Sequence, residues 1–313
     1  MSEMAAWVVI ISPMRNEAKH LERVIDAMTA QTRPPEEWIV VDDASTDGTR
    51  EILDRAAGRL PFLRVVSAPT FPMPDRADRL SHAAAPRVFN HGLALASPFT
   101  YVGKLDGDIE LPPDYFERLL ANFRYDPQLG IAGGVVVEQD DGQWRVHGAS
   151  HLAHVRGALR LYSRECLEAV GGVREVLGWD GIDIVLAHMH GYRTQSFRDM
   201  VARHHRPTGT AQGRLKGHVR WGRCQYIQGY PAYWVLARAV KVSAAPPRGL
   251  SGLAYIGGYG RAALKRVPRF EEEGYRAHLR GELRGRVKAK LRSRTAGGGD
   301  AAVAADGVNG LLT

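Results

Sequence analysis

Short apolar runs alternate with helix-spaced apolar positions along the first part of the chain. Residues 7–12, 38–41 and 63–67 are compact apolar runs, which predict buried strands. Between the first two runs, large apolar residues recur at helical spacing, at Leu21, Val24, Ile25 and Met28. Strands that alternate with helices are typical of a mostly parallel, doubly wound α/β sheet flanked by helices.

The alternation continues to about residue 206. We predict an extended run from residue 101 to the acidic pair at 106–108, further strands at 130–139, 156–162 and 196–203, and helices at 83–96, 163–170 and 184–190. A glycine-rich stretch at 178–183 is predicted as a flexible loop. The predicted organisation is an α/β domain over residues 1–210, a basic helical region over 211–294 and a disordered tail over 295–313.

Polar residues follow three of the predicted strands, at 13–17, 42–43 and 106–108. Ligands of such sheets bind beyond the carboxyl ends of the strands, so we expect these three clusters to converge on one site. Asn16 is predicted to cap the following helix, with Glu17 in its acidic first turn.

The acidic pair Asp106-Gly107-Asp108 is the centre of the pattern. Two neighbouring carboxylates repel each other, and a divalent cation removes that penalty. Oxygen ligands suit Mg²⁺ or Mn²⁺, and Mg²⁺ completes its shell with water and substrate phosphates. The pair therefore predicts a metal–diphosphate site, and the alternative is an acidic turn in solvent.

Composition restricts the setting. The 313 residues are 44% hydrophobic, enough for one large or two modest domains. The two cysteines, Cys166 and Cys224, are far apart, which favours a reducing cytosol over a disulfide framework or a zinc site. No stretch is typical of a signal peptide or a spanning helix, so we expect a cytoplasmic protein.

The net charge of +8 belongs to the C-terminal region, where twelve Lys/Arg and four Glu lie between Arg261 and Arg294. An apolar stripe runs through that region, at Leu279, Leu283, Val287 and Leu291. Three interpretations stay open. The stripe lies on an anionic membrane surface, it packs on the protein with a solvated basic face, or the region binds nucleic acid, which we do not expect because no nucleic-acid motif accompanies it.

The order of the motifs resembles that of the family 2 glycosyltransferases, which have the GT-A fold. The motifs are Pro13-Met-Arg-Asn-Glu17, Val41-Asp-Asp-Ala-Ser-Thr-Asp-Gly-Thr49, Asp106-Gly-Asp108, Gly171-Gly172 and Trp179-Asp180. The resemblance covers residues 6–206, and the second motif is its most specific part. It implies a nucleotide-sugar donor and makes the α/β domain a GT-A catalytic domain.

The resemblance also implies roles for residues that match the motifs. Pro13 and Glu17 would line the nucleoside pocket, and Asp42 or Asp43 would contact the base or ribose. Asp108, and less directly Asp106, would hold Mg²⁺ or Mn²⁺ on the donor diphosphate, where such an ion neutralises charge on the leaving nucleotide.

Asp180 matches the general base of the family, which takes the proton of the acceptor hydroxyl and thereby inverts the anomeric centre. Asp183 is interpreted as a helix-start acid that the helix dipole favours. His204 and His205 lie where several relatives place a metal-contacting histidine. Neighbouring residues at a strand end point to opposite faces, so at most one is a ligand, and we favour His204.

Two departures from the family pattern matter. Many relatives have Ala-Arg-Asn before Gly-Leu, whereas this chain has Val88-Phe89-Asn90-His91-Gly92-Leu93, so Arg87 or Arg79 would supply the missing guanidinium to the donor. The processive synthases carry Gln-x-x-Arg-Trp beside membrane spans. The stretch Trp221-Gly-Arg223-Cys-Gln225-Tyr226 has similar residues in another order, which argues against a processive polymerase.

These observations predict a metal-dependent inverting glycosyltransferase at the inner face of the cell membrane. It would move a sugar from a nucleotide-sugar donor to a glycan or lipid-linked acceptor, in cell-surface polysaccharide or glycolipid synthesis. The alternatives are a sugar nucleotidyltransferase, which needs a glycine-rich basic phosphate loop that residues 8–20 do not offer, and a non-catalytic nucleotide-binding module, which need not keep Asp106, Asp108 and Asp180.

Overall fold

The computed structural model describes residues 6–71, 79, 81–140, 142–146, 152–206, 213–244 and 247–295. The chain divides into two compact units, Met1–Arg206 (unit 1) and Pro207–Thr313 (unit 2). The tail predicted to be disordered lies outside the described residues, except for its first residue.

Unit 1 is built on one sheet. Its strands are β1 (Val8–Met14), β2 (Glu37–Asp42), β3 (Leu63–Ser67), β4 (Tyr101–Leu105), β5 (Ile109–Glu110), β6 (Leu129–Asp140), β7 (Gln143–Val146), β8 (Leu159–Ser163) and β9 (Arg193–His204). Its helices are α1 (Ala18–Thr29), α2 (Thr49–Ala57), α3 (Ala84–Ala94), α4 (Tyr115–Tyr125), α5 (Arg164–Ala169) and α6 (Trp179–Met189).

The sheet has a parallel half and a mixed half. The strand order is β3-β2-β1-β4-β8-β6-β9-β5, with β7 paired to β6. The first four strands of that order are parallel, whereas β8 is antiparallel to both β4 and β6. Strands β6 and β9 are again parallel, and β5 runs antiparallel to β9. The predicted α/β class is therefore confirmed, with the antiparallel β8 in the middle of the sheet.

The core of unit 1 lies on the faces of this sheet. The four apolar positions predicted for the first helix are all buried on α1. Helix α3 approaches the sheet at Gly92, where a Cβ atom would lie 2.6 Å from Ile11 Cγ2 and 2.9 Å from Val41 Cγ2. A residue without a side chain is therefore required there, and the close approach brings the α3 helix onto β1 and β2.

Unit 2 is helical in its described residues. Its helices are α7 (Arg214–Ile227), α8 (Ala232–Val242), α9 (Leu250–Leu264) and α10 (Tyr275–Thr295). Helices α7 and α9 pack through glycine: a Cβ atom on Gly222 would collide with the carbonyl oxygen of Tyr255, and one on Gly258 with that of Val219. The two backbones thus touch directly.

The apolar stripe of α10 faces inward over its first half. Leu279 and Leu283 are buried, Val287 is 45% exposed, and the side chain of Leu291 lies outside the description. The buried leucines favour packing on the protein over contact with a membrane, because a side chain excluded from solvent is not available to lipid. Among the described helices, none has both the length and the apolar character that a bilayer crossing requires.

Candidate active site

Polar side chains join the loops after β1 and β2. Asn16 has a positive φ of 56°, its side-chain oxygen accepts from the Thr46 backbone N–H at 2.8 Å, and its own N–H donates to Ser45 Oγ at 3.0 Å. The expectation that Asn16 caps α1 was wrong. Glu17 takes the cap position and makes no side-chain capping bond, so it is also not a first-turn acid. Both residues are turned instead toward the site.

The two acids after β2 have different surroundings. Asp42 is buried, and its carboxylate accepts from the Ser45 backbone N–H at 3.2 Å. Asp43 forms an ion pair with Arg79, and its carbonyl accepts from Arg15 at 2.7 Å. Pro13 is half-buried and pairs with Val41 across the β1–β2 ladder.

The two arginines proposed as replacements for the missing family arginine lie apart. Arg79 is with Asp43, at the end of β2. Arg87 lies on α3, with its Nε 3.8 Å from Glu175 Oε2. The structure thus places Arg79, and not Arg87, beside an acid predicted to bind the donor.

Asp108 and His204 face each other at the junction of β5 and β9. The carboxylate oxygen Oδ1 of Asp108 lies 3.4 Å from His204 Nε2, and both residues are buried. His204 Nδ1 lies 3.0 Å from the carboxylate of Glu138, a buried residue near the end of β6. Burial acts to lower the pKa of His204, but its hydrogen bonds to Asp108 and Glu138 outweigh burial and raise the pKa to about 9.

His205 points the other way. Its Nε2 lies 2.7 Å from Glu110 Oε2, and its ring stacks on His20 with the centroids 5.7 Å apart. Of the two histidines, His204 is the one that faces Asp108, as expected for neighbouring residues on a strand.

Arg206 links Asp108 to Glu17. Its guanidinium pairs with the Glu17 carboxylate, and its Nε lies 3.6 Å from Asp108 Oδ2. Burial and the charge of Asp108 raise the pKa of Glu17 to about 7, against the lowering effect of Arg206. For Asp108, burial acts to raise the pKa, but His204 and Arg206 outweigh it and hold the pKa below its ordinary value.

Asp106 has a partner of its own. It pairs with Lys104, a buried residue two positions earlier on β4. The Lys104 ammonium lies 5.9 Å from the ring centroid of Trp179, the first residue of α6. The two acids of the motif therefore have different contacts: Asp106 pairs with Lys104, which faces Trp179 of α6, and Asp108 faces His204 of β9.

Asp180 is in the first turn of α6, which begins at Trp179, so the prediction of a flexible loop over 178–183 was wrong. It is half-buried, and its carboxylate accepts from the Gly181 backbone N–H at 3.1 Å. Gly178, with φ of 87°, provides the turn into the helix.

Asp183 is not a helix-start acid. It is fully buried beyond the first turn of α6, and its Oδ2 accepts from the Tyr162 hydroxyl at 2.6 Å. Burial raises the pKa of Asp183 to about 7, although Arg160 and the Tyr162 hydrogen bond act to lower it. A carboxylate sealed from solvent cannot reach an acceptor.

A divalent ion suits the Asp108–His204 pair chemically, because carboxylate oxygen and imidazole nitrogen are both metal ligands. Among the described residues, no three His, Cys, Asp or Glu side chains are grouped so that they could hold an ion by themselves. Two protein ligands are enough where water and substrate phosphates complete the shell.

Sequence reasoning missed Lys104, Glu138 and Arg206. Lys104 is a cation in an otherwise apolar strand, and Glu138 is an acid after three valines, so each carried a local signal. Arg206 carried none, because its partner Glu17 is 189 residues away in the chain.

Comparison with known proteins shows which sequences this chain is similar to. Residues 9–71 match the family model of glycosyl transferase family 2. The succinoglycan biosynthesis protein ExoA of Rhizobium meliloti (strain 1021) is 26% identical over 194 residues, which are 53% of this chain and 53% of that protein. Chondroitin synthase of Pasteurella multocida (strain Pm70) is 30% identical over 122 residues, which are 39% of this chain and 11% of that protein. The chain thus spans at most about half the length of these relatives.

A solved structure matches most of the chain. The mannosyltransferase PcManGT from Pyrobaculum calidifontis, in complex with GDP-Man and Mn²⁺, has a TM-score of 0.54 at 20% identity, over 93% of this chain and 83% of that one. At this identity the match establishes the fold. Together, the family model over the first strands, the named relatives and this GT-A architecture support a family 2 glycosyltransferase.

Proposed function

We propose that this protein transfers a glycosyl group from a nucleotide-sugar donor to an acceptor hydroxyl, with inversion. The observation that carries the proposal is a series of contacts: His204 with Asp108, Asp106 with Lys104, and Lys104 with Trp179 at the start of α6. These contacts support a site in which the two acids of the motif would bind the diphosphate close to the helix start that carries Asp180.

Asp180 acts as the general base. The acceptor oxygen attacks the anomeric carbon, its proton passes to the Asp180 carboxylate, and the bond from the anomeric carbon to the diphosphate oxygen breaks with its electron pair. The nucleoside diphosphate leaves, and one displacement inverts the centre. Trp179, beside the base, offers an aromatic face to a sugar ring.

Asp108 and His204 would hold Mg²⁺ or Mn²⁺, and the bound ion supplies neutralisation of charge on the leaving diphosphate. Arg206 adds a guanidinium at the same place, and its pairing with Glu17 and Asp108 keeps it oriented toward the site. Pro13, Glu17, Asp42 and Asp43 form the nucleoside end, with Arg79 in place of the family arginine and Arg87 outside it.

The relatives support the substrate class. PcManGT is in complex with GDP-Man and Mn²⁺, and the relatives named above are a chondroitin synthase and a succinoglycan biosynthesis protein. We therefore propose a glycan or lipid-linked acceptor, in the synthesis of a polysaccharide or glycolipid.

A panel of nucleoside diphosphates tests the proposal by thermal shift, with and without Mn²⁺, because a ligand that binds the folded state raises the melting temperature. We expect one base, uridine or guanosine, to give the largest shift, and expect Mn²⁺ to increase it. Asp108→Ala should lose the Mn²⁺-dependent part, whereas Asp126→Ala should keep it, because Asp126 pairs with Arg193 at the start of β9 and His204 is at the other end of that strand. No shift with any nucleotide would contradict the proposal.

The location at a membrane is a second part of the proposal, and it concerns unit 2. Of the thirteen large apolar side chains that are exposed in the described residues, nine lie between residues 215 and 264. On α8 they are Tyr233, Leu236 and Val240, and on α9 they are Leu250, Leu253 and Leu264. Their spacings of three and four residues on α8, and of three and eleven residues on α9, keep each set on one helix face.

The charge of this segment fits the same location. Residues 213–270 contain eleven Lys/Arg and neither Asp nor Glu. Exposed apolar and aromatic side chains on a purely basic background are typical of a protein that lies on an anionic bilayer. We therefore assign the membrane contact to α8 and α9, in place of the α10 stripe.

A further inference from the structure

A buried polar cluster lies beneath the first turn of α6. Its members are Arg160 and Tyr162 on β8 and Asp183 on α6, and the side chains of Arg160 and Asp183 are 0% exposed. The Tyr162 hydroxyl receives a hydrogen bond from Arg160 at 3.1 Å and donates one to Asp183 at 2.6 Å. Arg160 Nη1 lies 3.7 Å from Asp183 Oδ2.

The side chain of Arg160 contacts the backbone of Asp180, the residue proposed as the base. Both terminal nitrogens of the guanidinium donate to the Asp180 carbonyl oxygen, Nη1 at 3.3 Å and Nη2 at 3.2 Å. The guanidinium also lies over the Trp179 ring, 4.9 Å from its centroid. One side chain therefore holds the two residues that begin α6.

The loop at residues 155–157 packs against the other side of the first turn of α6. A Cβ atom at Gly157 would lie 3.0 Å from the Trp179 ring and 3.2 Å from Asp180 Cβ, so this backbone packs against both residues. Arg160 also donates to the carbonyl of Val155 in the same loop. The start of α6 is thus fixed between the loop and the guanidinium.

Stability does not account for such a cluster. Burying an ion pair costs desolvation energy that its attraction often fails to recover, and apolar residues of similar size are frequently as good or better. Asp183 Oδ1 makes no hydrogen bond within the described residues, so this carboxylate is only partly satisfied. A buried ion pair that costs desolvation energy and contacts the start of α6 indicates that its role is to hold the residues of that helix start in position.

We propose that Arg160 is the positioning residue for the general base, and that Asp183 and Tyr162 orient its guanidinium. The inference rests on the proposed function, in which Asp180 takes the acceptor proton. A base acts only within hydrogen-bond reach of that proton, and a misplacement of about 1 Å can lower the rate about 100-fold.

The test distinguishes an effect of Arg160 on the position of the base from an effect on the stability of the protein. Arg160→Met leaves the Asp183 carboxylate without its cation and should lower the melting temperature, whereas Arg160→Met with Asp183→Leu removes both charges and should recover most of the loss. In the double variant we expect kcat to stay about 100-fold down, with the KM for the donor and the nucleotide thermal shift unchanged. Recovery of kcat together with the melting temperature would overturn the inference.

Arg160→Lys keeps the assay informative if the double variant does not fold. Lysine retains the charge opposite Asp183 but lacks the planar fork that reaches one carbonyl with two N–H groups and lies over the indole. We expect a folded protein with the same selective loss of kcat, and full activity would overturn the inference.

Asp180→Asn in the same assay distinguishes a failure of the base assigned in the proposed function from a failure of the positioning role of Arg160. Wild-type turnover in Asp180→Asn would reject Asp180 as the base, and with it the positioning role of Arg160, while the proposed glycosyl transfer would stand. An inactive Asp180→Asn beside a fully active Arg160→Lys would leave the proposed function standing and reject only the positioning role.

Discussion

The carboxylates of the site differ more in their partners than in their sequence context. Asp106 and Asp108 are two residues apart, yet one pairs with Lys104 and the other with His204 and Arg206. Asp180 and Asp183 are three apart, yet one is half-buried and the other is sealed under the helix. The local sequence identified these acids, but apart from Lys104 their side-chain partners come from distant parts of the chain.

Glu138 provides a test at this scale. It holds His204 Nδ1 and so leaves Nε2 directed at Asp108, as the outer carboxylate of a histidine–metal site does. Glu138→Gln should weaken Mn²⁺ binding in the presence of the nucleoside diphosphate by about 10- to 100-fold. The free Mn²⁺ signal in electron paramagnetic resonance measures this affinity.

Glu110→Gln is the matched control, because Glu110 holds the neighbouring His205, which faces away from Asp108. Its Mn²⁺ affinity should stay near that of the wild-type protein. Equal losses in both variants would mean that any change at the β5–β9 junction weakens Mn²⁺ binding. The proposed role of His204 as a metal ligand would then be rejected.

Among the elements, helix α6 shows where local pattern fails. The glycines at 178 and 181 predict a loop, but the helix begins between them, and its start is fixed by Arg160 and the 155–157 loop. The contacts that decide this come from about twenty residues earlier in the chain. By contrast, α1 was predictable, because its own apolar spacing determines which face is buried, and β3 has the bounds that its short apolar run predicts.

The α7–α9 contact gives a prediction for two neighbouring glycines. Gly258→Ala places a Cβ atom against the Val219 backbone, which must move, so we expect a destabilisation of about 1–3 kcal/mol. Gly257→Ala meets nothing within 4 Å and should stabilise the helix by about 0.5–1 kcal/mol, because alanine is the better helix former.

Urea denaturation of the two variants measures the difference. The same chemical change one residue along the same helix should therefore have opposite signs. Stabilisation of similar size in both variants would indicate that helix propensity, and not the close backbone contact, controls this region.

For the whole molecule, the sequence predicted the α/β class and the clustering of acids at strand ends, but not the mixed half of the sheet. A short strand such as 159–163, with the sequence Leu-Arg-Leu-Tyr-Ser, has the same pattern in a parallel or an antiparallel pairing. The direction of β8 follows from its pairing on both sides, to β4 and β6. Such pairing is a property of the folded chain, and no local signal carries it.

The membrane assignment is tested on the complete protein. Leu236→Glu with Leu253→Glu places acids on the exposed faces of α8 and α9, and we expect loss of co-flotation with vesicles that contain phosphatidylserine. High salt should also weaken binding of the wild-type protein, because surface attraction is screened within a Debye length. Tyr125→Glu with Val287→Glu removes two exposed apolar residues elsewhere and should leave flotation unchanged.

Two other results would reject the membrane assignment. Unchanged flotation of the α8–α9 variant would place the contact elsewhere. Binding of the wild-type protein to duplex DNA and not to vesicles would identify the basic segment as a nucleic-acid surface.

The position of β8 has a consequence for how the chain is made. Strand β4, which leads to the acidic motif, pairs with β1 on one side and with β8, residues 159–163, on the other. Strand β8 is synthesised more than fifty residues after β4. Until those residues leave the ribosome, the nascent sheet ends in an unpaired edge, and open edges of this kind invite association with other chains. His204 and Arg206 come later still, so this unpaired edge is exposed before the residues of the candidate site are all present.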